Sequence, residues 1–216
     1  MSSASSQALG VPSASHGTIP SERVILFSAQ SLTDRRKGGA LLEEAINRLA
    51  ETEKNLTVLM VGENGKNMPM PAPVRTRVTG CLDDDKALAK LYSAADVFVL
   101  PTLAENLPNG ALESMACGTP PVVFDVGGCR DAVRHMETGY LAKYADIDDL
   151  THGIRLLLND DELRTRLSRR SRDVAAVEYG IELQAQRPAP GDGEQVDHRV
   201  GRATDRRQRH DGVVER

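Results

Sequence analysis

Glu105 and Glu113, with seven residues between them, lie in the stretch of this chain richest in groups able to do chemistry, Ala95 to Gly128, ADVFVLPTLAENLPNGALESMACGTPPVVFDVGG. A polar loop with Asn106, Leu107, Pro108, Asn109 and Gly110 follows Glu105, and ALESMACG then reads as a helix that Gly118 ends as its C-cap. The two acids therefore flank a helix N-terminus. Such a terminus leaves backbone N–H groups unpaired and carries partial positive charge, so it can hold a phosphate or another anion. An ionised carboxylate only accepts hydrogen bonds, which suits it to binding hydroxyls. The plainer reading of Glu113 alone is a surface residue favoured in a first helical turn by the dipole.

The elements that must carry these groups follow from the apolar pattern. Short apolar runs at Arg23–Ala29, Leu56–Val61, Val97–Leu100 and Pro121–Phe124 read as strands, most of them buried, and Arg75–Thr79 reads as a further strand, third in chain order. Amphipathic helices are expected from Gly38 to Thr52, with Leu41, Leu42, Ala45, Ile46 and Leu49 on one face, over DDKALAKLYSAA from Asp84, and over Asp148–Leu158 and Asp161–Val177. A short helix leads into GYLA, and Asn64–Pro73 is an irregular loop. Strands alternating with helices predict an α/β fold with a doubly wound, Rossmann-like parallel sheet, whose ligands bind beyond the carboxyl ends of the strands. Gln30 and Lys37, Gly62, Cys81, Glu105 to Asn109 and Gly127 all fall at such ends. Gly127 and Gly128 fit either a close approach to ligand or a tight turn between strand and helix.

Several other patterns lose to simpler readings. GENGK after the second strand lacks the G-x-x-x-x-G-K-[ST] spacing of a phosphate-binding loop. Asp83, Asp84 and Asp85 could suggest a D-x-D metal site, but an acidic cap and first turn account for them, and His16, His135, His152, His198 and His210 are scattered, so no metal site is expected. Arg35 and Arg36 either supply charge near Lys37 or are solvated loop residues.

The 216 residues suffice for one ordinary domain. A net charge of -4 gives no basic surplus for a nucleic-acid partner. Cys81, Cys117 and Cys129 are odd in number and form no CxxC pair, as expected of reduced thiols in a cytoplasmic protein. No run approaches the ~20 apolar residues of a transmembrane segment.

The central stretch resembles the E-x7-E signature of the retaining, nucleotide-sugar-dependent glycosyltransferases of family 4, also called group 1, with Glu105 and Glu113 as the acids, SAADVFVLPT before them and LESMACGTPPVVFDVGG after. The resemblance runs from about Gln7 to Gln186. It implies the second, donor-binding half of a GT-B fold, a nucleotide-sugar as donor substrate, no metal or other cofactor, and sugar transfer with retention to a glycan or lipid-linked acceptor. Lys37 keeps the place of the family's phosphate-binding lysine, whereas Gln30 stands where the family carries an arginine. A neutral amide can donate to a phosphate but cannot neutralise it. Gly62 would lie near the nucleotide, and Gly80, Cys81 and Leu82 match a turn that meets the base. Glu105 with the backbone of Asn106, Leu107, Pro108 and Asn109 would meet sugar and phosphate, and Glu113 the ribose hydroxyls. Glu105 and Lys37 are thus the catalytic candidates.

The same resemblance sets expectations for the ends. Residues 1–20 read as a flexible linker in which QALGVPS resembles the segment joining the two halves of such transferases, 21–186 as the donor-binding domain, and 187–216, which lack Leu, Ile, Phe and Tyr from Pro188 on, as a disordered tail, either frameshifted or truncated. With no acceptor-binding half in the sequence, the chain alone is expected to be inactive. It would work with a separate acceptor-binding domain, or else be a non-catalytic nucleotide-sugar-binding module or truncated fragment. Peripheral contact with the membrane, which some members of the family make, is a second location the resemblance allows.

Overall fold

The computed structural model describes residues 22–179. The expected linker over 1–20 and the expected tail over 187–216 lie outside them.

Each expected strand is present: β1 Arg23–Ser31, β2 Leu56–Glu63, β3 Arg75–Gly80, β4 Val97–Leu100 and β5 Pro121–Phe124. A sixth, β6 Tyr140–Ala142, occupies the GYLA segment, whose three residues are too few to show a period of their own. The helices are α1 Gly39–Ala50, α2 Asp85–Ala94, α3 Asn109–Ala116, α4 Gly128–Ala132, α5 Ile147–Asn159 and α6 Asp161–Glu178. Asn64–Pro73 is irregular apart from one 3-10 turn, Gly65–Asn67.

The six strands form one sheet in the order β3-β2-β1-β4-β5-β6, and every neighbouring pair is parallel. A parallel sheet is covered on both faces, which is why its central strands are apolar without alternation. Ile25, Leu26 and Phe27 of β1, all of β4 and all of β5 are buried. α1 packs with α5, and α3 packs with α2 and α6, to cover the sheet. On α1 the residues facing the core are Leu42, Ala45, Ile46 and Leu49, with Leu41 at the margin.

The strand order reverses between β1 and β4, since β1 leads by way of α1 to β2 on one side and β4 leads by way of α3 to β5 on the other. In such sheets the two outgoing connections diverge and leave a crevice above the carboxyl ends of the central strands. Asp84 caps α2, its carboxylate accepting from the Lys86 N–H at 2.9 Å. The acidic triplet is thus a helix start, and among the described residues no cluster of His, Cys, Asp and Glu could hold a metal ion. No helix among them is long and apolar enough to cross a membrane.

Candidate functional site

The crevice between β1 and β4 is built by locking two loops together. After β1, Asp34 starts a 3-10 turn, Arg35–Lys37, by accepting from the Arg36 N–H at 2.9 Å. The Arg36 guanidinium also bonds this carboxylate, and together these contacts hold Asp34 below the usual carboxylate range. Gly38 then takes φ 75°, and a Cβ placed there would stand 1.8 Å from the Pro101 carbonyl oxygen. Only a glycine lets the β1–α1 loop touch the end of β4 so closely. The Arg36 carbonyl completes the junction, accepting from the Leu103 N–H at 2.8 Å and the buried Thr102 hydroxyl at 3.0 Å. Arg36 therefore serves the site through its backbone, while its guanidinium is solvated at 76% exposure. The consequence is that Lys37 Nζ reaches Glu105 Oε2 at 2.6 Å, across 68 residues of sequence.

A second lock holds Glu105 from the other side. The Gly128 N–H donates to the Glu105 carbonyl at 2.8 Å. A Cβ at Gly127, whose φ is 47°, would lie 2.2 Å from that same oxygen, and one at Gly128 would lie 1.9 Å from the Asn106 carbonyl. The close approach that these two glycines permit is to the protein's own loop. Beneath it Cys129 is buried, and loss of water pushes its thiol up to about 12, with the nearby Glu105 charge adding to the rise.

Glu113 belongs to a different set of contacts. It lies one turn into α3, whose N-terminus at Pro108 has no side-chain cap. Its Oε2 accepts from the Tyr92 hydroxyl at 2.9 Å, and the Tyr92 oxygen lies 3.0 Å from Ser28 Oγ on β1. Tyr92 is 2% exposed and edge-on to Phe98, and burial raises its phenol well above the ordinary value. Among the described residues, no hydrogen bond or ion pair joins Glu113 to Lys37 or Glu105.

The remaining predicted residues line the same edge. Gln30 and Cys81 are exposed, and the Cys81 thiol lies 3.9 Å from the Gln30 carbonyl, so the ends of β1 and β3 approach each other over β2. Gly62, with φ 139°, backs onto Ala29, whose carbonyl oxygen a Cβ there would meet at 1.8 Å. Asn106, Leu107 and Asn109 are exposed and Pro108 is buried. Sequence reasoning missed Thr102, Tyr92 and Ser28. The last could have been noticed as a hydroxyl inside the apolar run RVILFSA, and Tyr92 as the one polar-tipped aromatic on α2.

The family model of glycosyl transferases group 1 matches residues 13–174. The chain is 32% identical over 166 residues to the D-inositol 3-phosphate glycosyltransferase of Geodermatophilus obscurus, an alignment covering 70% of this chain and 37% of the relative. It is 30% identical over 152 residues to the 2-deoxystreptamine glucosyltransferase of Streptomyces kanamyceticus, covering 67% of this chain and 39% of the relative. The chain thus spans well under half the length of these relatives. Among solved structures, sucrose-phosphate synthase from Thermosynechococcus elongatus superposes with a TM-score of 0.67 at 28% identity, over 77% of this chain and 44% of that one. The C-terminal domain of a group 1 glycosyl transferase family protein from Francisella tularensis shares the fold at 19% identity and a TM-score of 0.62, over 76% of this chain and 89% of that domain. With three quarters of its length matched by the family model and its site at the switch point of the sheet, this chain belongs to the group 1 glycosyltransferases.

Proposed function

We propose that residues 21–186 form the donor-binding domain of a transferase that moves a sugar from a nucleoside-diphosphate sugar to an acceptor with retention of configuration. The observation that carries this reading is the Lys37–Glu105 pair, held 2.6 Å apart by loops that leave the two central strands at the point where the strand order reverses. A cation and an uncapped helix N-terminus on one crevice suit a diphosphate. Gln30 can add a neutral hydrogen bond there, and Gly62 and Cys81 at the ends of β2 and β3 extend the same edge towards the nucleoside. Relatives are named for acceptors as different as 2-deoxystreptamine and D-inositol 3-phosphate. That relatives named for such different acceptors match this chain fits a shared region that serves the donor side of the reaction.

In the reaction, the bond between the anomeric carbon and the diphosphate oxygen breaks and its electron pair stays on that oxygen. The acceptor's hydroxyl oxygen bonds the anomeric carbon from the same face, and its proton passes to the departing diphosphate. Lys37 and the first amides of α3 stabilise the growing charge, an effect worth about 10²–10³ in rate for each well-placed donor. Glu105 holds Lys37 in place before the donor arrives, and it accepts from sugar hydroxyls once the phosphate competes for the ammonium group. Glu113 accepts from the ribose hydroxyls. An acceptor-binding domain, on the same polypeptide or a separate one, supplies the other wall of the cleft. Without it the acceptor is not positioned, and positioning is worth about 7–11 kcal/mol, so the donor domain by itself is inactive.

The test is calorimetric titration of the 216-residue chain with UDP, GDP and ADP. One of them should bind, Lys37→Met should weaken it about tenfold or more, and Glu113→Ala should weaken it as well. A chain that is folded by circular dichroism and binds none of the three refutes the reading.

A further inference from the structure

Tyr92 is a buried phenol whose hydroxyl donates to a carboxylate on another helix. Its ring packs edge-on against Phe98 at 5.5 Å, and its carbonyl accepts from the Thr119 hydroxyl at 2.6 Å, so both ring and backbone are fixed. The direction of the bonds follows from chemistry. An ionised Glu113 can only accept, so the 2.9 Å contact spends the Tyr92 proton on Oε2, and the 3.0 Å contact must be Ser28 donating to the phenol oxygen. The result is a one-way chain from β1 through α2 to α3. Gly110, in the first turn of α3, leaves room for it, since a Cβ there would stand 3.2 Å from Ser28 Oγ and 3.4 Å from the Tyr92 oxygen.

Glu113 itself is exposed. A solvated glutamate on a helix ordinarily samples several rotamers, and a carboxylate needed only for solubility has no use for a partner inside the core. Here a fixed buried donor claims one oxygen. Among the described residues, Oε1 has no partner and stays available to a ligand.

We propose that Tyr92, with Ser28 behind it, is a positioning residue that fixes Glu113 in the rotamer that receives the donor's ribose hydroxyls. Tyr92 touches no ligand. It acts by removing the rotamer freedom that Glu113 would otherwise lose on binding, so its loss appears as weaker recognition of the ribose. This rests on the donor reading given above, and the experiment separates the two.

The nucleotide among UDP, GDP and ADP that binds the wild-type chain is compared with its 2′-deoxy counterpart by calorimetry. The wild type should favour the ribonucleotide by about tenfold, and Glu113→Ala should abolish that preference. Tyr92→Phe keeps the ring and should cut the preference by about three- to tenfold, with little change in affinity for the deoxynucleotide. In the Glu113→Ala background the Tyr92→Phe change should have no further effect on the ratio. A preference that survives Tyr92→Phe but not Glu113→Ala overturns the proposal and leaves the donor reading standing. A preference that survives Glu113→Ala, or absence of binding by all three nucleotides, removes the donor role of Glu113 and the proposal with it. If Tyr92→Phe does not fold, Ser28→Ala decides: a lowered ratio supports the chain, and an unchanged one overturns it.

Discussion

Gly38 and Gly80 have nearly the same backbone, φ 75° and 74°, but opposite surroundings. A Cβ on Gly80 would meet nothing within 4 Å, whereas one on Gly38 would lie 1.8 Å from the Pro101 carbonyl oxygen. Gly80→Ala should therefore cost only the left-handed conformation, about 1–2 kcal/mol. Gly38→Ala carries the same cost and adds a contact roughly 1.7 Å inside the favourable heavy-atom separation. That contact is with backbone at the end of a buried strand, which cannot swing away as a side chain would. The additional loss is about 1–3 kcal/mol, the range for forcing extra atoms into packed structure. For a domain of this size it corresponds to a melting temperature about 2–12 °C below that of Gly80→Ala. Thermal unfolding of the two variants beside the wild type reads the difference directly. Because Lys37 precedes Gly38, nucleotide affinity should fall in Gly38→Ala as the Lys37–Glu105 contact is displaced. Equal melting temperatures for the two variants would mean that the loop does not dock on β4 as described, and the argument for how Lys37 reaches Glu105 would fail with it.

Thiol labelling of the native chain followed by peptide mass mapping should mark exposed Cys81 first and Cys117, whose thiol burial raises, more slowly. Cys129, pushed up to about 12 by burial, should react only after unfolding, and native labelling of Cys129 as fast as of Cys81 would contradict its placement. The phenols of Tyr92 and Tyr140 are both raised, chiefly by burial, so the folded state holds their protons where the unfolded chain, titrating near ~10, releases them. Their contribution to stability is thus complete below the unfolded value near ~10 and is lost progressively as pH rises from there towards the raised folded values; urea midpoints should fall steadily from about pH 10 upward, and a Tyr92→Phe chain with no flatter profile than wild type would refute the sign. Asp84→Ala removes the α2 cap and should cost about 0.5–2 kcal/mol in urea unfolding, while Asp83→Ala, on a residue that makes no cap bond, should be near neutral.

Much of the fold was legible because the chain obeys simple periodicities. The four-residue runs VFVL and PVVF are strands over those same residues, since a central parallel strand must be apolar on both faces. GYLA was not legible as a strand because its three ordered residues pair with β5 only in the context of the sheet. At the site, Glu105 and Glu113 stand out as acids beside a helix start, while Lys37 is picked out through the resemblance to the family. The pairing was not legible, since the Lys37–Glu105 contact depends on two glycine-dependent loop junctions far apart in sequence. Tyr92 escaped for a related reason: on a helical pattern its aromatic ring counts as core, and only its depth and neighbours reveal where the hydroxyl goes.

These junctions also explain why the site can be rigid although it is built on loops. Loops are ordinarily the mobile part of a fold. Here the β1–α1 loop is pinned to β4 through Gly38, Thr102 and Leu103, and the β4–α3 loop is pinned to α4 through Gly127 and Gly128, so three connections share one framework. Apart from the buried Thr102 hydroxyl, each pin is a backbone contact, and none places a demand on the side chains that face the crevice. Lys37, Gln30, Asn106, Leu107 and Asn109 are consequently free to differ without disturbing the scaffold, whereas the glycines are not. A substitution at Gln30 should therefore alter what the crevice holds at little cost in folding. One at Gly38, Gly62, Gly127 or Gly128 must lose both together, because the carbonyl each would strike belongs to a neighbouring part of the same framework.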